Sequence, residues 1–170
     1  MRKPKNTLTI LASAALTFLA GCANYQLGTT LPPHLRSVYV ETFKNATKEP
    51  QIETTISSQT IREFQRDGQL KVKDADTADI ILKGVITDYE LEPVRSNRNN
   101  PKATLEYKAV VTVQINAVER ANGKKVVSQS VTGSKIFEAR GDLMTARRNI
   151  LPEVSRELGR KVVDAVISAW

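Results

Sequence analysis

The chain has 170 residues, 25 basic against 18 acidic, one cysteine, one histidine and a formal charge of +7. One cysteine excludes an internal disulfide, and a lone His34 beside Pro33 leaves almost nothing on which to build a catalytic dyad or a histidine metal site. A chain of this length makes one domain with a sizeable core.

The N-terminus reads in three parts. Arg2, Lys3 and Lys5 precede an apolar run over residues 8–19, and no acidic residue occurs before Glu41. The run is shorter than the roughly 20 apolar residues that span a bilayer, and the order of basic, apolar and small residues is that of a secretion signal. Leu19-Ala20-Gly21-Cys22 resembles the lipobox of bacterial lipoproteins, which implies that Cys22 carries the lipid as the first mature residue. Each buried acyl methylene contributes about 0.8 kcal/mol, so several chains make a durable anchor. Ala23 in place of Asp after that cysteine resembles the outer-membrane sorting pattern. The expected organisation is a signal over 1–21, a lipidated tether over 22–37 and a single α/β domain over 38–170. Removing the signal lowers the formal charge to +4, since Arg2, Lys3 and Lys5 leave with it. That balance suits a site near anionic lipid or a polyanionic glycolipid, and export makes nucleic acid an improbable partner. Fifteen tether residues reach no more than roughly 50 Å.

The first element past the tether is a strand over 38–43, in which β-branched and aromatic residues alternate. A turn over 45–50 follows, with Thr47 as the helix cap and Pro50 in the first turn. Ile52, Ile56, Thr60 and Phe64, with Ile61 beside them, give one apolar stripe through about Arg66, and Gly68 stops the helix. Residues 70–72 are a short extended piece, followed by an acidic turn with Asp74, Asp76 and Asp79. A strand over 80–91 changes phase at Gly84, as a bulge or a close backbone approach would make it do. Residues 93–102 read as a loop. Leu105, Tyr107, Ala109, Val111, Val113, Ile115 and Ala117 then alternate with polar residues, so this strand has one dry face and one wet face. Asn122-Gly123 is a hairpin turn, and the return strand over 125–138 turns Val127, Val131 and Phe137 inward. Gly141-Asp142 opens a last helix with an apolar stripe from Leu143 through Ala146, Ile150, Val154 and Leu158 to Trp170. Pro152 predicts a kink or two helices in series. The expected fold is a two-layer α/β (α+β) sandwich, two helices on one face of a mixed, mostly four-stranded sheet. Its first strands are parallel and its last three elements antiparallel.

Little chemistry is on offer. There is no Gly-rich phosphate loop and no recognisable serine elbow or Ser-x-x-Lys motif, so no enzyme and no cofactor is expected. The Asp74, Asp76, Asp79 cluster lacks the glycine and closing glutamate of an EF-hand loop and reads as a solvated turn. Arg95, Arg98 and Lys102 place three cations in eight residues without an acid among them. They are either a solvated loop or a phosphate-binding one. Lys124 and Lys125 invite the same question more weakly.

Taken in order, several short motifs resemble one family. Tyr25-Gln26-Leu27-Gly28, Leu31-Pro32, Val38-Tyr39-Val40 with Phe43, Asn45 and Thr47, Glu49-Pro50, Ala78-Asp79 leading to Tyr89, and Glu106-Tyr107 look like those of the LPS-assembly lipoprotein LptE family. The resemblance implies two helices on a mostly four-stranded sheet. It also implies a non-catalytic role in lipopolysaccharide assembly, as the plug and assembly partner of the outer-membrane β-barrel LptD. Arg95, Arg98 and Lys102 are then candidates for lipopolysaccharide binding by charge and position. The pattern from Val38 to Thr47 also resembles the first strand of lipoproteins that activate peptidoglycan synthases. Those need a long tether to reach the inner membrane, which 15 residues do not supply. A stand-alone periplasmic binding module would need a dry pocket where the apolar stripes look like core.

Overall fold

The computed structural model describes residues 31–96, 104–139 and 142–170. The strands are β1 (Ser37–Val40), β2 (Lys44–Asn45), β3 (Lys71–Val72), β4 (Ile80–Ser96), β5 (Thr104–Glu119) and β6 (Lys125–Glu138). The helices are α1 (Ile52–Asp67) and α2 (Leu143–Ile167). They pack on one face of a single mixed sheet of order β3-β1-β4-β5-β6, with β2 also paired to β4. The two-layer α+β arrangement is the one read from the sequence. The sheet has six strands rather than mostly four: the short extended piece expected over 70–72 pairs as β3, and β2, a two-residue strand, is too short to show a period.

The parallel half comes first. β1 pairs in parallel with both β3 and β4, and β2 pairs with β4 further along, at Val85 and Ile86. The strand expected over 38–43 therefore stops at Val40. Phe43 drops into the core instead, with its ring against Gly84. A Cβ at Gly84 would lie 2.8 Å from that ring, so the glycine marks a close approach. The bulge is elsewhere, at Thr87. Before it Ile80, Leu82 and Ile86 face inward; after it Tyr89 does, with the phase reversed.

β4 pairs antiparallel with β5 from Ile80 onward, as β5 does with β6, and beyond Ile86 these are the only ladders among the described residues. Ala109, Val111, Val113, Ile115 and Ala117 are buried under α2, as the alternation predicts. Gly133 on β6 lets α2 come close, since a Cβ there would meet Leu158 Cβ at 2.7 Å and its backbone nitrogen at 2.9 Å.

The helix ends follow local chemistry. α1 closes at Gly68, at φ 78, whose N–H donates to the Phe64 carbonyl at 3.0 Å. It opens at Gln51, at φ 62, without a side-chain cap. Thr47 is not that cap: its N–H and hydroxyl both donate to Asn45 Oδ1, at 2.9 and 2.8 Å, and shape the preceding turn. α2 opens on Asp142, whose carboxylate accepts the Thr145 N–H at 2.9 Å. It runs unbroken through Pro152, so the expectation of two helices in series fails. Pro152 is exposed, and the hydrogen bond it forfeits lies on the solvent side of the helix.

Candidate functional site at the far end of the long strands

Strands average about 5–6 residues, yet β4 has 17 and β5 has 16. At about 3.3 Å per residue β4 is roughly 50 Å long, which gives the domain two distinct ends.

The near end receives the chain. Leu31 and Leu35, within the segment expected as tether, are buried in the core, and Ser37 is fully covered. Asp79, at the start of β4, holds this end. Its Oδ2 accepts the Ser37 hydroxyl at 2.7 Å and the Arg36 N–H at 3.0 Å, while its own N–H donates to Ser37 Oγ at 3.1 Å. The Ser37 hydrogen bond leads the forces that hold the Asp79 carboxyl below the ordinary carboxylate range. Arg120 Nε donates to the Ala78 carbonyl at 2.7 Å alongside. The third aspartate of the sequence cluster is thus a structural acceptor. Among the described residues no three His, Cys, Asp or Glu side chains group as metal ligands. His34 is exposed at this end, and Lys124 sits with its Nζ 6.0 Å from the centre of the Trp170 ring.

The far end is built by the outer halves of β4, β5 and β6 with the first turns of α2. Residues 93–96, expected as loop, continue β4: Pro93 lies opposite Tyr107, and Arg95 opposite Glu106. Pro93 has no N–H to give a ladder, but β1 and β2 end at or before the level of Ile86, so one edge of β4 is open here. Tyr107 stacks on Phe137 with ring centroids 6.1 Å apart. Arg95 is thus placed by its backbone at the tip of the sheet. Arg98, Lys102 and Cys22 lie outside the described residues.

A cluster missed by sequence reading anchors α2 to this end. Arg147 Nε lies 2.8 Å from Glu49 Oε2, as a close ionic contact rather than an aligned hydrogen bond. The guanidinium sits 4.4 Å over the Tyr89 ring, and its Nη2 donates to the Tyr89 carbonyl at 3.3 Å. Tyr89 in turn donates its hydroxyl to the Arg147 carbonyl at 3.0 Å. Burial pushes the Tyr89 hydroxyl up to about 12, against the opposing pull of Arg147. No periodicity marks Arg147; the only sequence signal is an arginine one turn into a helix otherwise striped by apolar residues.

The class defined by this fold is a two-layer α+β domain whose long antiparallel half projects past a short parallel one. The chain belongs to the LptE lipopolysaccharide-assembly family, whose model matches residues 35–166. Among solved structures it is similar to protein XCC0632 from Xanthomonas campestris, with a TM-score of 0.58 and 11% identity, covering 81% of this chain and 90% of that one. It is also similar to hypothetical protein CT253 from Chlamydia trachomatis, with a TM-score of 0.56 and 9% identity, covering 79% and 96%. Likeness at such identities is likeness of fold. No curated protein matches this chain significantly.

Proposed function

We propose that this protein is a lipid-anchored partner of an LptD-type outer-membrane β-barrel, that it occupies the barrel lumen, and that it assists lipopolysaccharide assembly at the cell surface. The family match over residues 35–166 carries the reading. The shape supports it. A bilayer with its headgroups is about 40–45 Å thick, and the domain's long axis of roughly 50 Å is enough to carry a plug from one side to the other. With the anchor at Cys22 and packing from Leu31, nine intervening steps allow roughly 30 Å of reach, so the domain stays beside its own membrane. That distance disfavours a peptidoglycan-synthase activator, which has to work across the periplasm. Arg95, Arg98 and Lys102 are the proposed contacts for glycolipid phosphates.

The test is a pull-down of the tagged, acylated protein from detergent-solubilised outer membranes. An LptD-type barrel in the eluate is the expected result. A penicillin-binding protein with no barrel would replace this reading with the activator.

A further inference from the structure

The sheet has two edges, and they are unlike. One is β3, two residues long. The other is β6, 14 residues over Lys125–Glu138, with no proline and with no charge from Val126 to Ser134. Its one break in register lies by the hairpin, where Ala117 and Val118 pair with Val127 and Lys125. A long, regular, uncharged edge invites another strand, and proteins guard such edges with prolines, bulges, charges or a covering element.

Thr112 fixes which backbone groups of β6 face outward. Its carbonyl points toward β4, where it accepts the Thr87 hydroxyl at 3.3 Å. The N–H and C=O of a strand residue point the same way, so Thr112 and Thr132, which lie opposite each other, exchange no ladder hydrogen bonds. Only their hydroxyls meet, at 3.2 Å. The Thr132 N–H and C=O therefore face away from β5. So do those of Ser128, Ser130, Ser134 and Ile136, at the same period of two. Among the described residues a single group answers this row. Lys161 Nζ, from α2, donates to the Thr132 carbonyl at 2.9 Å. Glu157, one turn earlier, holds the ammonium at 3.1 Å. Lys161 thus stands across the middle of the edge, its charge beside the uncharged run.

Charge selects what the edge fits. A second copy adding antiparallel must bring outward-facing residues opposite one another. Centred on Ser130, such a pairing would set Lys125 against Lys135, two cations. Centred on Val131, it sets Ser130 against Thr132 and Ser128 against Ser134, and it brings Glu138 of each copy beside Lys124 and Lys125 of the other. That contact is its own complement, and with one long edge per copy it closes at two. We propose that the β6 edge is a strand-pairing surface for a second copy of this chain, and that Lys161 holds it shut in the monomer. Pairing requires the ammonium to leave the Thr132 carbonyl, which then accepts an N–H of the second copy. The surface runs along the flank of the strands and needs no barrel partner.

The experiment measures the mass of the full, acylated chain in detergent by light scattering, with the detergent contribution subtracted, across a range of protein concentrations. Wild type is expected to be monomeric. Lys161→Met keeps the aliphatic stem but loses the donor and the charge. It is expected to form at least ten times as much dimer as wild type at equal concentration. Two further changes, each added to Lys161→Met, should restore the wild-type mass. Ser130→Pro removes an outward N–H that β5 does not use. Ser130→Lys, Thr132→Lys, both at exposed positions, sets like charges face to face across the pairing axis and leaves the backbone alone. A Lys161→Met chain with no more dimer than wild type overturns the proposal. A dimer that survives both edge changes overturns it too, because another surface then makes the contact, and so does assembly beyond two.

Discussion

Arg147 is held by a carboxylate, an aromatic face and a backbone carbonyl at once, and it opposes the burial that raises Tyr89. A tyrosine whose folded value exceeds its ordinary one is stabilised in the protonated form. Its contribution is complete below about pH 10 and is lost as the pH rises toward the folded value of about 12. Arg147→Ala removes the lowering cation and leaves Glu49 to repel the phenolate. The Tyr89 titration, followed by absorbance near 295 nm, should then move higher still, and the protein should lose about 1–3 kcal/mol at neutral pH. A midpoint that fell would show that Arg147 does not sit over the ring in solution. Asp79 runs the other way. Its folded value is lowered, so its stabilisation is present above the ordinary carboxylate value of 3.8 and disappears as the pH drops below it. Asp79→Asn should lower the melting temperature at pH 7 and flatten the loss of stability below pH 4, as read by circular dichroism. An unchanged acid limb would place the acid sensitivity elsewhere.

The elements that sequence alone made legible are those with a long period. The β5 alternation, the Asn122-Gly123 hairpin and the stripe of α2 each repeat over enough residues to be read, and Ile150, Val154, Leu158, Val162 and Val166 are buried as that stripe requires. What was hidden has physical causes. A two-residue strand such as β2 has no period. The outer part of β4 was masked by Pro93 and by register shifts around it, which are tolerable because β4 has lost its parallel neighbours there. The Arg147 cluster joins Glu49, Tyr89 and α2 across more than fifty residues of sequence, and only tertiary structure brings them together. Close packing between elements was equally invisible, and Gly133 tests it. In Gly133→Ala the new methyl would meet Leu158 backbone at 2.9 Å, which a rotamer change cannot relieve. α2 must then lift from β6, at a cost of about 1–3 kcal/mol. Urea unfolding should report that loss; a variant as stable as wild type would mean that α2 already stands further from the sheet.

At the scale of the whole molecule, Lys124 and Lys125 stand at one end of the long strands and the backbone of Arg95 at the other. Lys124 and Lys125 are beside the β5–β6 hairpin, next to Trp170 and the Asp79 cluster, where the chain joins the domain. Arg95 is at the tip, and Arg98 and Lys102 follow within the residues that link β4 to β5. Charge alone does not distinguish these groups, because an anionic glycolipid attracts either and simple charge attraction is screened beyond about 8–10 Å at physiological salt. Position does. If the tip carries the phosphate contacts, Arg95→Ala, Arg98→Ala, Lys102→Ala should weaken lipopolysaccharide binding tenfold or more. Each charge-assisted hydrogen bond to a phosphate is a strong one, and losing about 1.4 kcal/mol already gives a factor of ten. Lys124→Ala, Lys125→Ala removes nearly as much positive charge from the other end and should leave binding within a factor of two. Surface-bound lipopolysaccharide titrated with each variant at 50 and 200 mM salt provides the measurement. Equal losses from both variants would mean that net charge, not the tip, governs attraction. Unchanged binding by the triple variant would remove Arg95, Arg98 and Lys102 from the site.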